Sequence, residues 1–496
     1  MRLPLAKLLP IFAVLYATTS EAATYYVRNG GNDSADGRSH ATAWASLDKI
    51  NGFSFAAGDE VLLYEGNSWV GAVDVAWAGT SSAPAVLGAY YLENSTPKRG
   101  FRTAQPIIDG QDRLPSSRYD ALVTVTGNRV RVENLRVRNS EGRGIAVVQA
   151  DGVEVVGCNV SNISGGGIHF LGSDGSRAES NFVTEAGVGA RDGASTWGAS
   201  IEIVKSNSVV VRGNTVSEVY GEGINAHDGS QYTLIEQNKL FGVRAVGIYS
   251  DGAPDTTIRR NIVVGTANSA WWRSGSSVGA GIALNNEAYH YPIGGGSQSV
   301  SVQSKRAKIY GNLVSFTSTG LALWGQGLPE TSYDGVLIYN NTFVDNNTQV
   351  AMNDKPKPGA QFMNNILLSL SGGTSDVDGT ALNGMTAKNN YFSKGNPGGD
   401  YVNAGNRFTG LTLAKMSGWR AVTNRDQITW KDFVVSSGST VIGAGDGTPT
   451  SAATAAQNYQ LDHNTAEHSR PMDMGGLTFA TPVQRRPMAP TALSGT

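Results

Sequence analysis

Short runs of alternating apolar and polar residues recur along this chain, and each closes on an asparagine followed by another apolar pair. Val-Val-Val-Arg-Gly-Asn214-Thr-Val, Leu-Ile-Glu-Gln-Asn238-Lys-Leu and Thr-Ile-Arg-Arg-Asn261-Ile-Val share this form. Lys-Ile-Tyr-Gly-Asn312-Leu-Val, Leu-Ile-Tyr-Asn-Asn341-Thr-Phe, Phe-Met-Asn-Asn365-Ile-Leu and Ala-Lys-Asn-Asn390-Tyr-Phe continue it, and Leu135, Cys158 and Asn181 hold the same position upstream. Successive steps are 23, 23, 33, 24, 23, 51, 29, 24 and 25 residues, a basic period with additions at a few steps. A second landmark follows nine residues later at Gly144-Ile145, Gly167-Ile168, Gly223-Ile224 and Gly247-Ile248. Ser200-Ile201, Gly281-Ile282 and Gly320-Leu321 match it, in part displaced by the additions. Each repeat therefore holds two or three short strands of period 2 between Gly and Asn turns. Helical periodicity of useful length is missing, which excludes helix-bearing solenoids, and the period is too short for a propeller blade.

A repeat of this size fits one coil of a right-handed parallel β-helix, an all-β solenoid whose coils stack at about 4.8 Å. Equivalent residues then form columns. Stacked asparagine amides satisfy turn backbone that would otherwise be buried unpaired. Cys158 fills one rung as a small, inert thiol. Residues 106–392 read as the β-helix repeats, 23–105 as the N-terminal cap and first coils, and 393–496 as the C-terminal coils and cap.

Composition agrees. Gly numbers 62, charged residues make up 16%, and the formal net charge is −2. Such a balance argues against a nucleic-acid partner, which would require a basic excess. The chain opens Met-Arg-Leu-Pro-Leu-Ala-Lys, runs apolar from Leu8 to Ala17, and reaches Ser20-Glu21-Ala22. Residues 1–22 therefore read as a secretory signal peptide cut after Ala22, with the mature protein periplasmic or secreted. No apolar stretch reaches the roughly 20 residues of a membrane span.

The columns expose candidate chemistry. Counting from each landmark Ile, the second residue points inward: Phe170, Ile203, Ala226, Ser250, Leu284, Leu323 and Met352. The first and third point outward. The first column reads His169, Glu202, Asn225, Tyr249, Ala283 and Ala322; the third reads Leu171, Val204, His227, Asp251, Asn285, Trp324 and Asn353. Lys205 and Asp228 follow at the turn. Additions bracket these coils: 186–198 with Arg191, Asp192 and Trp197; 266–279 with Trp271, Trp272 and Arg273; 286–303 with Tyr289, His290 and Tyr291; and 325–334. Loops on a rigid scaffold commonly carry function, and aromatic walls beside a polar strip suit sugar rings. The expected partner is a polysaccharide, and the expected state a monomer.

Two resemblances sharpen this reading. Tyr25-Tyr26-Val27 through Gly37, with Ala43-Trp44 and Ala57-Gly58-Asp59, resembles the start of secreted pectate-lyase-like β-helix proteins acting on polysaccharides. Ser439–Gly445 and Arg470–Gly475 resemble their tail. The coil Gly221-Glu222-Gly223-Ile224-Asn225-Ala226-His227-Asp228 resembles the catalytic coil of alginate C5-epimerases, with His227 at the catalytic His and Asp251 at another functional Asp. Asn225 stands where that family has Asp, Ala226 where it has Pro, and Glu222 where it has a catalytic Tyr.

The expected chemistry is removal of the weakly acidic C5 proton of a uronate. That needs a base and neutralisation of the adjacent carboxylate. His227 is the candidate base, oriented by Asp251 one coil away. Tyr249 or Glu222 is the candidate acid, and Asn225, Lys205 or Arg191 the carboxylate partner. His169, Glu202, Asp228, Trp271 and Trp324 are candidate substrate contacts. Loss of the 4-linked sugar gives a lyase, and reprotonation from the other face an epimerase. Hydrolysis by a carboxyl pair drawn from Glu202, Glu222, Asp228 and Asp251 is a further class, as is glycan binding without turnover. Asp228 and Asp251 are the candidate ligands for a Ca2+ ion, with no dense acidic cluster beside them.

Overall fold

The computed structural model describes residues 22–411 except 192, 194–196, 274–277, 288, 294–295, 301–302, 328–330, 371–373, 379–381, 396, 398–404 and 408, together with Ile428. Residues 1–21 of the expected leader and nearly all of the tail beyond 411 lie outside the described residues.

Three short strands per coil stack into three long sheets that run the length of the molecule, so the fold is the expected parallel β-helix. Sheet I passes through Val130–Glu133, Glu154–Val156, Arg177–Glu179, Val210–Arg212 and Leu234–Glu236. Sheet II passes through Arg136–Ser140, Asn159–Ile163, Phe182–Ala186, Thr215–Val219 and Lys239–Val243. Sheet III passes through Arg143–Val148, Ile168–Leu171, Ile201–Val204, Ile224–His227, Val246–Asp251 and Ala280–Asn286. Inward residues such as Val155, Val160, Phe170, Val211, Ile224 and Ala226 are fully buried in one continuous core.

The asparagines stand at the turn from sheet I to sheet II and form the expected ladder. Asn238 Nδ2 donates to Asn261 Oδ1 at 3.0 Å and to the Val211 carbonyl at 2.9 Å, while Asn238 Oδ1 accepts the Asn214 backbone N–H at 2.9 Å. The same pattern links Asn181 through Asn390. The residue before each rung adopts a left-handed backbone: Gly157, Ser180, Gly213, Gln237, Arg260 and Gly311 all have φ between 55 and 65°. That geometry accounts for the glycine and polar residues there. Cys158 begins the ladder by donating its N–H to Asn181 Oδ1, and burial pushes its thiol up to about 12. A serine ladder at the turn from sheet III to sheet I was not anticipated: the Ser173 N–H donates to Ser206 Oγ at 2.9 Å and the Ser206 N–H to Ser230 Oγ at 3.2 Å.

Two additions take local structure of their own. Val188–Arg191 forms a single helical turn, and Tyr289–Ile293 pairs antiparallel with Gly296–Val300 as a hairpin. Asp192, and the side chains of Tyr289, His290 and Tyr291, fall outside the described residues.

Candidate active site

The registers of sheet III match the columns read from the sequence. His169 pairs with Glu202, Glu202 with Asn225, Asn225 with Tyr249 and Tyr249 with Ala283. Beside them, Val204 pairs with His227, His227 with Asp251 and Asp251 with Asn285. Ile224 and Ala226 belong to the core, so Asn225 and His227 project from the opposite face.

One expectation fails. These residues were to project into solvent, yet His169 and Asp251 are wholly buried, and His227 is 4% exposed. Asn225, Tyr249 and Glu222 are buried too. The cause is that side chains from a flanking addition and from a later coil of the same sheet close over the face. The Trp197 indole N–H donates to both Glu222 oxygens, at 2.6 and 2.7 Å. The Trp324 ring packs edge-on against Tyr249 at 5.5 Å.

A second correction concerns the partner of His227. The carboxylate at hydrogen-bond distance is Glu202, one coil before it, and not Asp251, one coil after. Glu202 Oε1 lies 3.1 Å from His227 Nε2, and Glu202 Oε2 lies 2.6 Å from His169 Nδ1. One carboxylate thus bridges two imidazoles, and Glu202 and His169, expected as substrate contacts, form the support of His227. Burial favours neutral forms throughout. In Glu202 it is overcome by the two imidazoles, which hold the carboxyl well below its usual range. In His169 burial prevails and lowers the pKa despite Glu202. In His227 burial is outweighed by the hydrogen bond and charge of Glu202, with Asp251 and Asp228 adding to it, and the pKa rises. Burial pushes the Glu222 carboxyl up to about 7, with the Trp197 hydrogen bond opposing and the Glu202 charge assisting.

Tyr249 belongs to a second network. Its hydroxyl donates to Glu287 Oε1 at 3.1 Å and accepts from Asn285 Nδ2 at 3.1 Å. The Glu287 N–H donates to Asp251 Oδ1 at 2.8 Å. Burial, then the charges of Asp251 and Glu287, raise the Tyr249 pKa far above its ordinary value. Sequence reasoning missed Glu287 because it lies in an addition, outside the repeat register; its place just past the Asn285 column position was the only signal.

The other candidates scatter. Lys205 Nζ sits 3.3 Å from Asp228 Oδ2 at the strand ends. Arg191 is exposed, its guanidinium 6.0 Å above the ring of Trp271, which is itself buried. Trp271 therefore packs against the scaffold and offers no open face; Trp197, half exposed, does. A calcium ion does not fit the two carboxylates named for it: Lys205 takes the cation position beside Asp228, and Asp251 holds the Glu287 N–H. Among the described residues no group of three or more metal-ligating side chains converges.

Comparison with known proteins agrees on architecture. The family described as "Right handed beta helix region" matches residues 120–293. No curated protein matches the sequence significantly. Pectate lyase Pel9A is similar in structure, with a TM-score of 0.54 at 14% identity over 92% of this chain and 97% of that one. A rhamnogalacturonan lyase gives 0.51 at 14% identity over 77% and 90%. The chain folds as a right-handed parallel β-helix.

Proposed function

We propose that this chain is an exported enzyme that cleaves an acidic polysaccharide by removing the C5 proton of a uronate and eliminating the 4-linked sugar. The observation that carries this reading is the Glu202 carboxylate between His169 and His227, at 2.6 and 3.1 Å, beside a Glu222 carboxyl pushed up to about 7. Glu202 accepts from His227 Nε2, so Nε2 carries a proton and transfer falls to Nδ1. His227 takes the C5 proton. Negative charge then spreads from C5 onto the substrate carboxylate, where the Asn225 Nδ2 amide supplies an N–H donor. Glu222, half protonated near neutral pH, gives its proton to the departing O4 and regains one from water. The half-exposed Trp197 ring, bonded to Glu222, offers a face to a neighbouring sugar.

The near-neutral Glu222 also supports a second reading, glycoside hydrolysis, in which it protonates the glycosidic oxygen while Asp251 or Glu202 is the second carboxyl. Incubation with a panel of uronate polymers separates these. Chain shortening with new absorbance near 235 nm, roughly where an unsaturated uronate absorbs, is the expected outcome. Shortening without it means hydrolysis. Uptake of deuterium from heavy water into intact polymer means epimerisation by the same base. Binding with no change in any polymer overturns the enzymatic reading.

A further inference from the structure

The first residue of the described chain to be buried is Ala23, next to an exposed Ala22. Its backbone N–H donates to Asp59 Oδ1 at 2.7 Å, and the Ala23 carbonyl accepts the Glu60 N–H at 2.8 Å. Asp59 is itself 1% exposed, and its second oxygen accepts the Ala56 N–H at 2.8 Å. The Trp77 indole closes the floor by donating to the Asp59 carbonyl at 3.1 Å. Directly after Ala23, Thr24–Val27 enters sheet I against Glu60–Tyr64. A carboxylate is thus buried at the open end of the solenoid, with one oxygen on the Ala23 nitrogen and the other on that of Ala56. Burying such a charge against neutral donors alone is costly, and a cationic partner relieves that cost.

The sequence supplies the partner at that same nitrogen. The Leu8–Ala17 apolar run, with small residues Ser20 and Ala22 beyond it, predicts peptide-bond cleavage between Ala22 and Ala23. We infer that Asp59 is a built receptor for the new chain end, so that removal of the leader completes the N-terminal cap. Hydrolysis breaks the Ala22–Ala23 C–N bond. Water's hydroxyl goes to the Ala22 carbonyl carbon, which leaves with the leader as a carboxylate. The Ala23 nitrogen becomes a primary amine and takes up a proton. An amide–carboxylate hydrogen bond then becomes an ammonium–carboxylate pair between the same two atoms, shorter and stronger than before. Position is decisive. Cleavage one residue later removes the nitrogen that Asp59 faces, and cleavage one residue earlier leaves a neutral amide there with the charge out at exposed Ala22. Glu60, the residue after Asp59, is already joined to Arg99 at 2.8 Å.

The test uses the full-length precursor expressed in an exporting bacterial host, and the same chain made to begin at Ala22. N-terminal sequencing of exported protein is expected to read Ala-Thr-Tyr-Tyr from Ala23. An α-amine held by a buried carboxylate has a raised pKa, so an amine-reactive reagent at pH 8 should label Ala23 about fivefold more slowly than the free amine of the chain beginning at Ala22, for a shift of about one unit. Asp59→Asn should abolish that protection. It should also lower Tm more in the chain beginning at Ala23 than in the chain beginning at Ala22. A mature end other than Ala23, equal labelling of the two chains, or equal Tm losses on Asp59→Asn would each overturn the inference. The first two readouts do not depend on the variant folding, and none depends on catalytic activity.

Discussion

His227 points away from the core and is nevertheless shut off from water, which changes what its replacement should do. Seen only as an outward residue, His227→Ala would leave folding untouched. In the structure it removes a partner of the half-buried Glu202 carboxylate, so a stability cost of about 1–3 kcal/mol accompanies the loss of the proposed base. Turnover should fall about 100- to 10,000-fold, the usual contribution of a positioned base, and the fall should persist at temperatures well below the lowered Tm. Protonation at this cluster also sets a pH dependence with a definite sign. Glu222 is raised from 4.5 to about 7, and His227 is raised as well. A group with a raised folded-state pKa stabilises the fold at low pH and loses that contribution as pH climbs through the raised value. Glu202, held below 4.5, acts oppositely and loses its contribution only as pH falls through its lowered value. His169, lowered by burial from its ordinary 6.5, opposes Glu222 as pH falls, so the Glu222 share is read by difference: the Tm at pH 5.5 minus that at pH 8 should be smaller in Glu222→Gln than in the parent. An unchanged difference in Glu222→Gln would remove Glu222 as its source.

At the scale of the strand and turn, the asparagine ladder is the feature with the most to lose. Asn238 makes two donations and accepts from both the Asn214 backbone and its amide. Asn238→Ala strands these groups in a site that is 1% exposed, with an expected cost of about 2–5 kcal/mol, visible as a lowered urea midpoint. Replacement of Asn207, a half-buried turn residue whose bonds to Asp174 and Gln231 lie near the surface where water can replace them, should cost far less, and equal costs would deny the ladder its role. This element was legible in the sequence because the amide requirement recurs at every coil and is met by one residue type. The serine ladder was not, because Ala150 and Ala253 interrupt it with residues that only donate to the next serine through their backbone N–H. Likewise, the alternation of Ile224, Asn225, Ala226 and His227 gave the columns and their registers. It gave no sign of what lies over them. Cover depends on the path of Trp197 and Glu287, which sit in additions without a period to read, and on the direction taken by the Trp324 ring. The choice between Glu202 and Asp251 as partner of His227 was hidden because the register favours Asp251, which pairs directly with His227, whereas Glu202 pairs with Asn225 and reaches His227 on the diagonal.

Across the whole molecule, each coil pairs only with the coils before and after it, so stability and chemistry are distributed along one axis. The registers make individual coils removable. Gly213 and Gln237 share the left-handed backbone that precedes a rung, at φ 65 and 58°, and Thr215 pairs directly with Lys239. Deleting residues 214–237 therefore joins Gly213 to Asn238 with the ladder, the core and the turn geometry preserved. It also excises Glu222, Asn225, His227 and Asp228 together. Residues 341–364 form an equivalent unit, since Asn340 and Asn364 have φ 54 and 58° and Thr342 pairs with Ile366. That unit carries none of the clustered ionisable groups. Both deletions should retain the β-type circular dichroism of the parent, with urea midpoints lowered by loss of one coil's stacking. Only the second should retain turnover of the acidic polymer. A folded 341–364 deletion without activity would mean that catalysis needs more of the solenoid than the coils carrying His169 to Glu287. A folded 214–237 deletion that still cleaves polymer would move the chemistry off His227 and Glu222 altogether.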